Sequence, residues 1–547
     1  LKEETQIKTV AQEASAKEKM LRGSAWMTIA SMLSRLLGAL YIIPWYLWMG
    51  DNALTANGLY TKGYTVYSIF IMLSTVGIPS AVAKQVAHYN SLNEYGIGQR
   101  LYRRMVLFMA GLGVLMAAIM WFISPALSAG DARMIPVFRS LAVTILIIPV
   151  MSLTRGFFQG YQDMKPSAIS QLVEQFARII YLLGSTFLIM KVWHGGFQNA
   201  VVHSTFAAFV GAVFAILVLA YYRLKDRTSF HKLAQNSNHQ LEISDKTLIK
   251  DLLWQAVPFI FIGIAITLYS LVDQYTFPFI MYLSSHYSTA EIDNMYALFA
   301  GNANKVVMIV VSLALAMAET SIPLLTEANT KGDQESVQKQ VVEILELFFF
   351  IMLPSAFGMA AVAQPLYNVF YGYGPYGTAI LKIAAFTAVT QGLFMLLANM
   401  LQGLNQNRLA IKYMLYGLVV KLILQVPLTA YLEAFGPLIA TAIGLLFSSV
   451  LCYRYMKYEL ILDLSFLQTR INWILFASML MFAVTATLTW GLNQVISSDN
   501  RLFSLVELVI CAGVGALIYV YIMLKTRIAD SALGTKVGKL RQILRIK

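Results

Sequence analysis

SLTRGFFQGYQDMKPSAISQLVEQFARIIYLLG, residues 152–184, has an echo in LLANMLQGLNQNRLAIKYMLYGLVVKLIL, residues 396–424. The two align without gaps at a displacement of 243 residues. Gln159 and Gly160 fall on Gln402 and Gly403, Lys165 on Arg408, and Arg178 on Lys421. Each copy reads as an apolar helix, a tight polar turn with one basic residue, and a second helix carrying a buried cation. At nearly the same displacement GIPSAVA around Pro79 meets SIPLLTE around Pro323, and Pro125 meets Pro365. Roughly 200 residues are thus duplicated in parallel. In an apolar chain that predicts two membrane lobes related by a pseudo-two-fold along the membrane normal, with a substrate path at their interface.

Composition agrees with a membrane setting. The chain is 58% hydrophobic and 13% charged, with a mean hydropathy of +0.64, which excludes an ordinary soluble protein. The net charge of +13 would suggest nucleic acid in a soluble domain. Here the Lys and Arg gather in alternate loops, so the excess reads as a topology signal and no nucleic-acid partner is expected. Cys452 and Cys511 lie in apolar segments, match no metal or disulfide spacing, and read as buried thiols.

Spans of about 20 apolar residues divide the chain into an all-α polytopic protein of about fourteen transmembrane helices. Residues 1–23 are a cytoplasmic tail, with no cleavable secretory signal. An N-lobe of six helices covers 24–222, with spans near 24–48, 64–87, 103–125, 138–158, 168–190 and 201–222. A polar cytoplasmic linker occupies 223–251. A C-lobe of six helices follows over 252–456, with spans near 252–282, 296–325, 341–363, 379–403, 410–432 and 436–456. Two further helices in 457–524 have no counterpart in the first half, and 525–547 form a basic cytoplasmic tail. The tail's helically spaced Val537, Leu540 and Leu544 read as an anchor on the anionic inner leaflet. Loops with Arg100, Arg103 and Arg104, with Arg223, Lys225 and Arg227, with Lys331 and Lys339, and with Arg454 and Lys457 alternate with loops nearly devoid of cations. The loop 283–295, for instance, has only Glu291 and Asp293. Both termini are therefore predicted on the cytoplasmic side.

Catalysis is not expected. The six histidines, His88, His194, His203, His231, His239 and His286, lie in loops or at helix ends with no HExxH or paired-carboxylate spacing, and the P-loop pattern is absent. No catalytic residue, metal site or cofactor is predicted. Ions inside the spans carry the information, because each is costly in hydrocarbon and normally faces a cavity or a partner. Arg35 lies about 16 Å into the first helix at 1.5 Å per residue, near the midplane. Asp273 lies in the outer half of the seventh helix, Lys305 at a comparable depth in the eighth, Glu319 on the inner half of that eighth helix, and Lys62 at the outer mouth of the second.

Arg35, Lys62, Asp273 and Lys305 are therefore the predicted substrate-binding residues of a net-positive cavity. A forked guanidinium with a point-charge ammonium suits a diphosphate. Asp273 and Glu319 are the candidates for coupling to an ion, which could be a proton, Na⁺ or chloride. Two structural alternatives stay open: Asp273 neutralising Lys305 or Arg35, and Lys62 serving as a snorkelling anchor. Glu174 and Arg178, at i and i+4 with Glu first, form a predicted structural pair. Gly417 stands where the second copy would need a Glu, which leaves the partner of Lys421 open.

RGFFQGYQDMKPSAISQLVEQFARI, the SRLLG of the first helix, STVGIPSAVAKQVA and SIPLLTEA resemble the multidrug/oligosaccharidyl-lipid/polysaccharide (MOP) exporter superfamily. Within it they are similar to the polysaccharide-biosynthesis branch, which holds the stage V sporulation protein B-like, YtgP-type and MurJ-type lipid II flippases. The resemblance spans essentially all fourteen helices. It implies a multi-pass protein of the bacterial cytoplasmic membrane that moves undecaprenyl-pyrophosphate-linked peptidoglycan precursor outward by alternating access, its partners being lipid II and membrane lipids. It also implies that the last two helices form a groove for the polyprenyl tail. Arg35 matches the family's first-helix cavity arginine. The second arginine of some members, six residues on, is Tyr41 here, and their second-helix arginine falls near Met72. The resemblance thus implies redistributed cavity cations, with Lys62 and Lys305 as replacements. The alternative functions are a flippase for another polyprenyl-linked polysaccharide or teichoic precursor, and a multidrug or cation antiporter.

Overall fold

Hydrocarbon offers no partner to a backbone N–H or C=O, so a spanning segment must satisfy both internally, and a helix does so. The computed structural model describes residues 33–34, 37–38, 40–75, 77–235, 237, 260–461, 465–495, 500–533, 537 and 541, and among these residues the regular structure is helical throughout. Eleven of the described helices are long and apolar enough to cross a membrane, which makes this a multi-pass membrane protein. The predicted spans outside those eleven are the first, second and seventh; Arg35 and Asp273 fall in the first and seventh, and Lys62 stands just before the second. The first and seventh are described only in part.

The chain divides into two compact units, residues 1–267 and 268–547. In the first, α1 (Ile42–Met49) leads through one 3-10 turn to α2 (Ala53–Thr75), followed by α3 (Ile78–Ser91), α4 (Tyr95–Leu127), α5 (Met134–Ile145), α6 (Ile148–Gly160), α7 (Lys165–Phe187), α8 (Phe197–Lys225) and α9 (Arg227–Gln235). The span expected at 64–87 is two helices. Gly77 adopts φ +79° between them, in the left-handed region that glycine tolerates and other residues avoid, and Pro79 starts the next helix. The span expected at 138–158 is likewise divided, with Pro149 opening α6.

In the second unit, α10 (Ala265–Ser284), whose first three residues belong to the first unit, precedes α11 (Thr289–Tyr296), a π-helical stretch (Ala297–Ala303) and α12 (Asn304–Thr330). Then come α13 (Gln334–Ala361), α14 (Ala363–Tyr371), α15 (Pro375–Gly403), α16 (Asn407–Leu432), α17 (Phe435–Glu459), α18 (Ser465–Val495), α19 (Arg501–Lys525) and α20 (Ile528–Leu533). The most extensively packed helix pair of each unit is the second helix of the duplicated stretch with its successor, α7 on α8 and α16 on α17.

The helices outside the repeat are tied to α13. Arg470 Nη1 reaches both Glu346 oxygens at 2.6 and 2.7 Å, and Tyr519 donates to the Phe350 carbonyl at 2.7 Å. The basic tail does not lie free where it is described. Val537 packs in one apolar cluster with Ile474, Met481 and Met523, and Arg541 donates to Asp530 and to the Leu524 carbonyl.

Candidate functional site

Each unit holds a buried ionic cluster at its repeated helix. In the second unit Lys421 on α16 is fully buried. Its Nζ lies 2.8 Å from Asp273 Oδ1 and donates to the Tyr269 carbonyl and to Thr441 Oγ1, both at 2.7 Å. An ammonium has three N–H bonds, and three acceptors surround it. Gln425 Nε2 donates to the same Asp273 oxygen at 2.9 Å. The partner that the sequence left open for Lys421 is therefore Asp273, on α10.

Local sequence explains how a lysine is buried so fully. A Cβ on Gly417 would collide with Ser448 Oγ and the Gly444 carbonyl, and one on Gly444 would come within 2.7 Å of the Gly417 carbonyl. The two glycines let α16 and α17 cross in backbone contact, one turn from Lys421. Glu at position 417, the counterpart of Glu174, would prevent that crossing.

In the first unit the predicted pair of Glu174 and Arg178 meets at 2.8 Å, and a third ion joins it. Arg155 on α6 donates from Nη2 to the other Glu174 oxygen at 2.9 Å and from Nε to Ser170 Oγ at 2.9 Å. Ser167 donates to the Arg155 carbonyl at 3.1 Å. Two guanidiniums on one carboxylate leave one net positive charge. Phenols stand around it: Tyr60, Tyr64 and Tyr67 lie within electrostatic range of Arg178, and so does Tyr41. Tyr41 and Tyr60 share a hydrogen bond of 3.3 Å, Tyr60 and Tyr64 stack at 4.5 Å, and Tyr64 meets Tyr67 edge-on at 5.5 Å. Arg178 Nε, Tyr64 OH, Tyr67 OH and Thr144 Oγ1 are buried with no hydrogen-bond partner among the described residues. Such atoms call for water or a ligand.

Lys62 on α2 lies within electrostatic range of Asp131, which grips Arg133 through both oxygens at 2.9 Å. Lys305 is the second residue of α12, directly after the π-helical stretch, and is partly buried. That stretch is pinned by Asn302, which donates to Tyr367 OH at 3.0 Å and accepts from Tyr371 OH at 2.9 Å. A π-helical turn is a costly irregularity that recurs at functional sites. Lys62 and Lys305 stand at the repeat displacement of 243 residues, as Gly58 and Gly301 do. They are equivalent positions of the two copies. Arg35 lies outside the described residues. So does the Glu319 side chain, although its backbone belongs to α12.

An apolar groove of about 400 Å³ runs between α13, α15, α17 and α18, lined by Leu345, Phe349, Leu393, Leu397, Val450 and Ile471 among others.

A many-helix chain built on a parallel duplication, with buried cations at equivalent helices, has the fold of the MOP-superfamily transporters. A solved structure of the lipid II flippase MurJ in an inward closed conformation superposes with a TM-score of 0.61, at 14% identity, over 91% of this chain and 97% of that one. An inward-facing multidrug resistance MATE family transporter gives 0.59, at 16% identity, over 78% and 98%. The chain belongs to the polysaccharide biosynthesis protein family, whose profile it matches over residues 20–329. It is 33% identical over 519 residues to the lipid II flippase MurJ of Bacillus subtilis (strain 168), covering 92% of this chain and 94% of the relative.

Proposed function

We propose that the protein is a lipid II flippase, a transporter and not an enzyme, moving undecaprenyl-pyrophosphate-linked peptidoglycan precursor from the inner to the outer leaflet of a bacterial cytoplasmic membrane by alternating access. The observation that carries this reading is the near end-to-end similarity to a lipid II flippase. The net-positive, phenol-lined cluster of Arg155, Glu174 and Arg178 supports it, since an anionic, hydroxyl-rich head group would satisfy the buried donors left unpaired there. In this reading Arg35, Lys62 and Lys305 meet the diphosphate, and the groove along α18 takes the start of the polyprenyl tail. Asp273, held by Lys421, and Glu319 are the sites for coupling to a proton or Na⁺, and Arg35 for a chloride counter-ion.

Both termini face the cytoplasm. With the cell interior negative, each negative charge carried outward gains about 2.3 kcal/mol per 100 mV, so the diphosphate moves down the field.

The test is a flipping assay with purified lipid II in vesicles, paired with growth of a flippase-depleted strain. Wild-type protein should move lipid II and restore growth. Arg35→Ala at wild-type abundance should do neither, and Arg35→Lys should recover only part, because the planar fork is lost. Transport of drugs but not lipid II would place the protein with the antiporters.

A further inference from the structure

A second cleft, of about 620 Å³, opens in the second unit where the last turns of α13 and α18 meet α14 and the first turns of α15. Lys382 is the charged residue of its lining. It is the eighth residue of α15, about 10 Å along the axis from the helix start at 1.5 Å per residue, and it is exposed. Among the described residues no carboxylate pairs with it. The carboxamides of Gln364, Asn493 and Gln494 share the same wall. Phe386 and Phe482 line the cleft beside them, with Phe386 41% exposed. Trp490 and Tyr373 stand at its rim, 68% and 62% exposed, as aromatic side chains do at a membrane interface.

These groups select an amphipathic occupant. A soluble anion would leave the phenyl rings uncovered, and an uncharged lipid would leave the ammonium uncompensated in a low-dielectric wall. One lysine balances one negative charge, as a phosphodiester carries, and falls short of a diphosphate. We propose that this cleft binds the phosphodiester head group of an anionic glycerophospholipid of the surrounding bilayer. Lys382 contacts the phosphate, the exposed Gln494 carboxamide donates a hydrogen bond to it, and an acyl chain follows Phe386 and Phe482. The site is independent of the lipid II reading, because its readout is lipid retention and not flipping.

The experiment uses the delipidated full-length protein in neutral detergent, titrated with phosphatidylglycerol, phosphatidylcholine, undecaprenyl phosphate or inorganic phosphate, and read by native mass spectrometry and thermal unfolding. Wild type should retain phosphatidylglycerol and melt higher with it, and phosphatidylcholine should do neither. Lys382→Gln should weaken retention about fivefold, the worth of one basic residue against an anionic lipid surface, with unchanged melting in the absence of lipid. Lys382→Arg should keep it. Ala486→Trp, which fills the cleft without touching the charge, should lose it as well. Equal retention by wild type and Lys382→Gln, or equal effects of the two phospholipids, would overturn the proposal. So would full replacement by inorganic phosphate, which would mark a free-anion site, or preferential retention of undecaprenyl phosphate, which would mark a carrier-lipid site.

Discussion

Lys421 Nζ and Asp273 Oδ1 lie 2.8 Å apart, in a pocket where the lysine has no exposed surface and every ammonium proton has an acceptor. Removing one partner strands the other charge. Lys421→Met or Asp273→Leu alone should destabilise the second unit by about 3–5 kcal/mol, whereas the double replacement should recover most of that loss. Thermal unfolding of the three purified variants measures it. Equal damage from the single and double changes would mean that the hydrogen bonds to Tyr269 and Thr441 matter more than the ion pair.

The crossing that buries Lys421 depends on bare backbone. Gly417→Ala should cost about 1–3 kcal/mol or more by overpacking. Adding Ser448→Ala should restore only part of it, since the Gly444 carbonyl remains in the way. The same melting measurement reads this out.

The cluster in the first unit is asymmetric in charge, which ranks its variants. Glu174→Gln leaves two guanidiniums facing each other, while Arg155→Gln or Arg178→Gln leaves a matched pair. Glu174→Gln should therefore be the most destabilising of the three, and Glu174→Gln combined with Arg155→Gln milder than the sum of the two. A double-mutant cycle on melting temperature tests the coupling.

Asp131 lies in the loop between α4 and α5, clear of the spans. Burial raises its carboxyl, but the Arg133 guanidinium and N–H, with Lys62 beyond, more than offset that and hold it below the usual value. A carboxyl lowered in the folded state adds stability that is fully present above its unfolded value, about 3.9, and is lost as the pH falls through the folded one. The melting-temperature gap between wild type and Asp131→Asn should stay constant from neutral pH to about 5 and close below about 4. A gap that widened in acid would reverse the sign.

Periodic signals were readable from the chain alone, and contacts between distant helices were not. The duplicated stretch announced the two-lobe fold, and the i,i+4 spacing announced Glu174 with Arg178. Arg155 lay inside the quoted motif, but its bond to Glu174 crosses from α6 to α7 and leaves no spacing to read. The partner of Lys421 was hidden for the same reason, because Gly417 removed the local carboxylate and the replacement comes from α10. The equivalence of Lys62 and Lys305 is legible at the repeat displacement of 243 residues. The π-helical stretch before Lys305 has no sequence mark, since it exists through the hydrogen bonds of Asn302 to Tyr367 and Tyr371.

Gly77 separates the fates of the two copies. In the first, α2 ends at Thr75 and the next helix begins at Ile78, directly after Gly77 in the left-handed region. In the second, α12 runs without interruption from Asn304 to Thr330 through the matching Ser321, Ile322 and Pro323. Duplication has thus produced a helix broken at a left-handed glycine in one copy and a continuous helix in the other, so a β-carbon is strained at position 77 and is carried without strain by Ser321.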